Sequence, residues 1–147
     1  MLLVYPLAGV DLDTPSYKKN AEAIPLSRPA VEWFVKNTLK SEADKASPMI
    51  DIIGKAELSH LPPATIITAE IDPLMSDGQL LAAKLRRAGS RVHYENFAGV
   101  THEFFGMDAV LRDADRAQND AAADLRRAFK STMSGPTGSI KDAKPKM

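Results

Sequence analysis

Two short stretches of the chain carry side chains able to move a proton. GVTHEFFGM (residues 99–107) presents His102 between a glycine turn and a Phe-Phe pair, and ITAEIDPL (residues 67–74) places Asp72 directly before a proline. A buried carboxylate that accepts a hydrogen bond from one imidazole nitrogen fixes the ring's tautomer and leaves the other nitrogen free to act as a base. The two residues work together only if the fold brings them together. Taken alone, His102 reads as an exposed loop histidine. Asp72 alone reads as the N-cap of a helix opened by Pro73, a role that does not compete with orienting an imidazole.

The remaining candidates have plainer readings. Glu70 alternates with Asp72 at the end of the same run and reads as a structural polar contact. His60 in LSHLPP reads as an exposed loop residue, and His93 as an outward-facing strand residue. Glu103 beside His102 gives HEFFG a superficial likeness to a zinc-protease helix, but no second histidine follows at i+4, so no metal site is expected. The chain has no cysteine, which excludes disulfides, thiolate zinc sites and a cysteine nucleophile.

The elements that must position Asp72 and His102 are legible as a pattern. LLVYPL (2–7) is a continuous apolar run of strand length, and ATIITAE (64–70) a second, β-branched one. RVHYENF (91–97) alternates, with Val92 and Tyr94 on one face and Arg91, His93 and Glu95 on the other, as at a sheet edge. Residues 8–27 read as loop. A helix follows, capped by Ser27 with Pro29 in its first turn, and Val31, Phe34, Val35 and Thr38 share a face, with Trp33 and Phe34 read as helix-face packing. Residues 40–63 read as mostly irregular. Pro73 opens a helix with Leu74, Leu81, Leu85 and Ala88 on one face, and Gly89 suits its left-handed end. A long helix is expected over 108–130, its stripe Val110, Ala114, Ala117, Ala121, Leu125 and Phe129. Strand and helix therefore alternate three times, the mark of an open, mostly parallel α/β sheet with flanking helices. Ligands gather past the carboxyl ends of such strands, where Asp72 and His102 both fall on neighbouring loops.

With 147 residues the chain is long enough for one core, expected over 1–130, with 131–147 as a disordered tail whose Lys141, Lys144 and Lys146 are solvated. Its 19 Lys and Arg balance 19 Asp and Glu, so no net field favours nucleic acid or an anionic membrane. No apolar run reaches the roughly 20 residues of a membrane span. MLLVYPLAGVD lacks the basic segment and cleavage site of a signal peptide, so a cytoplasmic location is expected.

ITAEIDPLMSDG and FAGVTHEFFGM, taken in this order, make the chain resemble the C-terminal half of the hormone-sensitive-lipase-like (fold-3) branch of the α/β-hydrolase fold, a family of carboxylesterases and lipases. Tyr5-Pro6 with Asp11, Ser16-Tyr17, Trp33-Phe34, Ser47-Pro48 and LPPATIITAEIDPL extend the resemblance over about residues 2–130. It implies that Asp72 is the acid and His102 the base of a Ser-His-Asp triad acting on a small carboxylic ester with no cofactor, and that Phe104, Phe105 and Met107 lie near the substrate pocket. The family's Gly-x-Ser-x-Gly nucleophile elbow and His-Gly-Gly oxyanion segment are absent from these 147 residues: none of serines 16, 27, 41, 47, 59, 76, 90, 131, 134 and 139 has both flanking glycines. Losing one oxyanion donor costs ~10²–10³ in rate, and losing the nucleophile removes the covalent route. The resemblance thus implies an incomplete sheet and a chain inactive alone. The rival readings are a non-catalytic binding module and one half of a two-chain esterase completed by a separate N-terminal half. In the family the 2–7 strand is interior, so its uncharged outer edge is expected to drive self-association. Light scattering on the concentrated chain checks this, and a clean monomer would count against it.

Overall fold

The computed structural model describes residues 1–133, with side chains as far as Lys130. Three strands form one parallel sheet in the order β1 (Leu2–Val4), β2 (Ala64–Ile71), β3 (Val92–Thr101). β2 lies in the middle, paired on both sides, and its β-branched residues are covered on both faces. Ala64 and Ile66 pack with Leu81, Ala82 and Leu85 of one helix, α4 (Met75–Arg87). Ile67 and Ala69 point the other way, against Ala114, Ala117 and Ala121 of the long helix α5 (Arg112–Met133) and against Phe97 and Val100 of β3. That alternation is the two-residue period of a strand, and it explains why a run apolar on both faces reads as continuous. β3 is the opposite edge, as its alternation predicts.

The helix expected after Ser27 is α2 (Arg28–Thr38), and the Ser27 hydroxyl accepts from Ala30 N (3.3 Å). Only Val31 on it is fully buried. Trp33 and Phe34 are 60% and 54% exposed and pack edge-on against each other, which corrects their reading as helix-face packing. α2 rests on Tyr17 and Leu74 through Val31 and Val35, a face too narrow to include the pair. The expected 8–27 loop contains α1 (Pro15–Lys19), whose five residues are too few to show a period. Residues 40–63 hold a 3₁₀ turn (Glu42–Ala46) and α3 (Ile52–Lys55). Gly89 closes α4 at φ +89°, as its position predicts.

α5 begins four residues later than expected, so Val110 lies before it and is exposed, as is Phe129 near its end. Its buried stripe is the three alanines, which let the helix axis approach the sheet closely, with Leu125 half-buried. α5 continues through Met133, past the start of the expected tail; residues 134–147 lie outside the described residues. No helix among the described residues is long and apolar enough to cross a membrane.

α4 is seated on β2 through Gly78. A Cβ there would fall inside van der Waals contact of Thr68 Cγ2, with Ile66 Cγ2 next at 3.6 Å. Thr68 has no freedom to yield, because its Oγ1 lies 3.0 Å from Tyr94 Oη and 2.9 Å from Asn96 Oδ1. Alanine gains about 1 kcal/mol in helix propensity over glycine, while overpacking a seated interface costs about 1–3 kcal/mol. Gly78→Ala is therefore expected to lower the urea midpoint, and an unchanged midpoint would show that α4 can lift off the sheet.

Candidate active site

The meeting of Asp72 and His102 is set by strand register. β2 and β3 pair residue for residue from Ala64↔Val92 to Ala69↔Phe97, an offset of 28; beyond a bulge Ile71 pairs with Thr101, an offset of 30. Continued at 28, the register would place Val100 opposite Asp72 and leave His102 two residues, about 6–7 Å, further along. The bulge moves the end of β3 back by that distance, so Asp72 and His102 leave the two strands side by side. Glu70 staples the bulge: its Oε2 accepts from Gly99 N (2.9 Å) while Lys19 Nζ lies 3.2 Å from Oε1. The Gly99 amide and the Lys19 ammonium hold its carboxyl below the usual range. Gly99 needs its φ of +71° to make the turn, a conformation open to glycine at no steric cost.

His102 Nδ1 lies 2.7 Å from Asp72 Oδ2. Asp72 is fully buried, and its second oxygen, Oδ1, accepts from Leu74 N (2.8 Å), so the carboxylate closes the turn before α4 and orients the ring. α4 itself starts at Met75 with Leu74 as its cap, two residues later than the expected start at Pro73, because Asp72 and Pro73 are used in that turn. With Nδ1 donating to a carboxylate, Nε2 carries the lone pair in the neutral ring. The imidazole side chain is 20% exposed. Chemically this is an oriented base that solvent can reach, backed by a buried anion.

The Asp72 turn is held from α1. Asn20 Nδ2 donates to the carbonyls of Glu70 (2.9 Å) and Asp72 (3.0 Å). Ser16 and Ser76 exchange hydrogen bonds, Ser16 N to Ser76 Oγ (3.2 Å) and Ser76 N to Ser16 Oγ (2.9 Å), and the Ser16 hydroxyl also donates to Pro73 O. None of these partners has a local signal, because each joins segments 50 or more residues apart. Asp77, in the first turn of α4, is buried and accepts from Ala8 N (2.9 Å) and Gly9 N (3.1 Å), tying the segment after β1 to the same helix. Burial pushes its carboxyl up to about 6, against the pull of those two amides.

Phe104, expected near a substrate pocket, is packed in the core. It is 1% exposed, 5.1 Å from the Phe97 ring and 5.7 Å from Tyr5, because the 3₁₀ turn Phe104–Gly106 points it inward toward α5. Phe105 is half-buried and Met107 exposed. A cleft of about 160 Å³ lies elsewhere, between α2 and the segments around Gly9 and Ile50, and none of the three lines it. His93 pairs with Asp124 (2.6 Å) toward the amino ends of the strands, away from His102, and His60 is an exposed loop residue. Among the described residues no group of three or more His, Asp or Glu side chains is placed to hold a metal ion.

This fold has counterparts. The family model for the alpha/beta hydrolase fold matches residues 1–106. The chain belongs to that family. Carboxylesterase NlhH of Mycobacterium tuberculosis is 37% identical to it over 132 residues, covering 87% of this chain and 41% of that protein. Ethyl acetate hydrolase of Pseudomonas putida is 29% identical over 114 residues, 78% of this chain and 36% of that protein. Among solved structures, the hyperthermophilic esterase of the archaeon Pyrobaculum calidifontis superposes with a TM-score of 0.80 at 31% identity, over 86% of this chain and 42% of that one. The thermostable carboxylesterase EstE1, cloned from a metagenomic library, gives 0.80 at 32%, over 86% and 44%. This hydrolase-family chain thus spans about two fifths of the length of these relatives.

Asp77 gives the α/β-hydrolase chain a pH signature. Its carboxyl titrates near 6 when folded and near 3.8 when free, so between those values the folded chain binds more protons than the unfolded. The stability tied to this group is full below about pH 4 and lost as pH rises through 6, by about 3 kcal/mol in all. Asp77→Asn keeps an acceptor for Ala8 and Gly9 and removes the charge. Urea midpoints of the two proteins are expected to differ most above pH 6, with the variant gaining on the wild type as pH rises from 4. A difference constant with pH would refute this.

Proposed function

We propose that the chain supplies the acid and base of a serine carboxylic-ester hydrolase of the hormone-sensitive-lipase-like branch, Asp72 orienting His102. The observation that carries this is the 2.7 Å hydrogen bond between buried Asp72 Oδ2 and His102 Nδ1 at the carboxyl ends of neighbouring parallel strands. In the proposed cycle His102 Nε2 takes the proton of a serine hydroxyl as that oxygen attacks the ester carbonyl. It then gives the proton to the departing alkoxide, which leaves as the alcohol. Water repeats the steps on the acyl-serine and releases the acid. Asp72 holds the tautomer throughout and stabilises the imidazolium formed twice per turnover.

The serine comes from outside these 147 residues, which contain no Gly-x-Ser-x-Gly string. The outer edge of β1 has no strand partner among the described residues, and we place the segment bearing the nucleophile along it. The substrate class we favour is small esters, in keeping with the name of one relative, the ethyl acetate hydrolase.

The test is hydrolysis of p-nitrophenyl acetate. The chain alone is expected to match the buffer rate and its own His102→Ala variant. Mixed with a polypeptide carrying the elbow and the strands before it, the chain is expected to turn over, and Asp72→Asn to lower that rate by about 10⁴. Activity of the chain alone that collapses in His102→Ala would overturn the inactivity. A complemented enzyme indifferent to Asp72→Asn would overturn the role of the pair.

A further inference from the structure

Tyr5, the residue that follows β1, lies on the opposite face of the sheet from the one the strand's alternation assigns it. Leu2 and Val4 pack on the α5 side and Leu3 on the α4 side, so strict alternation sends residue 5 toward α4. Tyr5 packs on the α5 side instead. Its φ of +49° reverses the alternation while its amide still donates to Ile67 O (2.9 Å). A bulky residue seldom takes this conformation, and it persists only where the surroundings hold it.

Three contacts hold it, all with the segment that follows β3. The Tyr5 ring centroid is 4.6 Å from that of the His102 imidazole, tilted by 43°. The ring meets Phe104 edge-on at 5.7 Å. The phenol oxygen accepts from Phe105 N, the backbone three residues beyond His102. Within the turn Gly106 N donates to Glu103 O (3.2 Å) and Met107 N to Phe104 O (2.8 Å), and Gln118 Nε2 donates to Phe105 O (2.6 Å), but none of these touches the imidazole.

We propose that Tyr5 is a positioning residue for His102, its ring backing the imidazole and its phenol tying the turn, so that Nδ1 stays on Asp72. The proposal rests on reading Asp72 and His102 as an acid–base pair. Burial, with the charges of Asp72 and Glu103 nearby, pushes the phenol up to about 12, so it remains neutral at working pH. The reversed backbone thereby has a use: it brings the residue after β1 to the His102 side of the sheet.

Proton NMR of the full chain tests this by following the low-field Nδ1–H resonance of His102 and its exchange with water, with the β2 amides as a measure of global opening. Asp72→Asn is expected to abolish the resonance. Tyr5→Phe, which keeps the ring, is expected to speed its exchange about tenfold, as for one lost hydrogen bond. Tyr5→Leu should speed it further, with β2 amide exchange unchanged in Tyr5→Phe. Exchange at His102 unaltered in both Tyr5 variants would overturn the proposal while leaving the pair intact. Acceleration matched by the β2 amides would overturn it too, as general loosening. A resonance that survives Asp72→Asn would remove the pair itself and the proposal with it.

Discussion

β2 is hydrogen-bonded on both edges and covered on both faces, and everything at the site is referred to it. A strand in that position cannot slip, because a shift of one residue would exchange the sets facing α4 and α5. Its two faces are not equivalent. Toward α4 the fit is decided by a missing side chain, Gly78, over an immobilised Thr68. Toward α5 it is decided by three alanines, which bring a long helix down on Ile67 and Ala69. The carboxyl end of β2 is therefore held from both sides, and Asp72 leaves a strand packed on both faces.

The Asp72 carboxylate divides its two oxygens between a structural and an orienting task, one on the turn that leads into α4 and one on the imidazole. Burying an ionised carboxylate is costly unless it is fully hydrogen-bonded. Here the same bonds that satisfy it also set its direction. The surrounding ties from Asn20, Ser16 and Glu70 reach backbone atoms on either side of Asp72 and His102 rather than the two side chains. Geometry at the pair is thus fixed through the main chain, which is stiffer than any one rotamer. Asp77 extends the same device to the segment after β1, at the expense of a buried carboxyl pushed up to about 6.

Much of this was legible in the sequence, where the physics is local. The β-branched run 64–70, the Ser27 cap with Pro29, Gly89 at the end of α4 and the alanine spacing of α5 each follow from the preferences of a few adjacent residues. Local pattern also placed Asp72 and His102 past the ends of parallel strands, and so on the same end of the sheet. Errors came where burial depends on what lies opposite. Helical spacing cannot show that Trp33 and Phe34 are left exposed among the described residues, or that a 3₁₀ turn directs Phe104 into the core.

By itself, then, the sequence determined the three strands, the three longer helices and their order, and put Asp72 and His102 at one end of the sheet, because propensity, capping and periodicity act over a few residues. The tertiary structure alone decided that these two touch. A bulge changes the β2–β3 offset from 28 to 30, and Tyr5 turns against its own strand to meet His102. Both are settled by contacts between segments far apart in the chain, where a displacement of two residues along a strand separates a hydrogen bond from none.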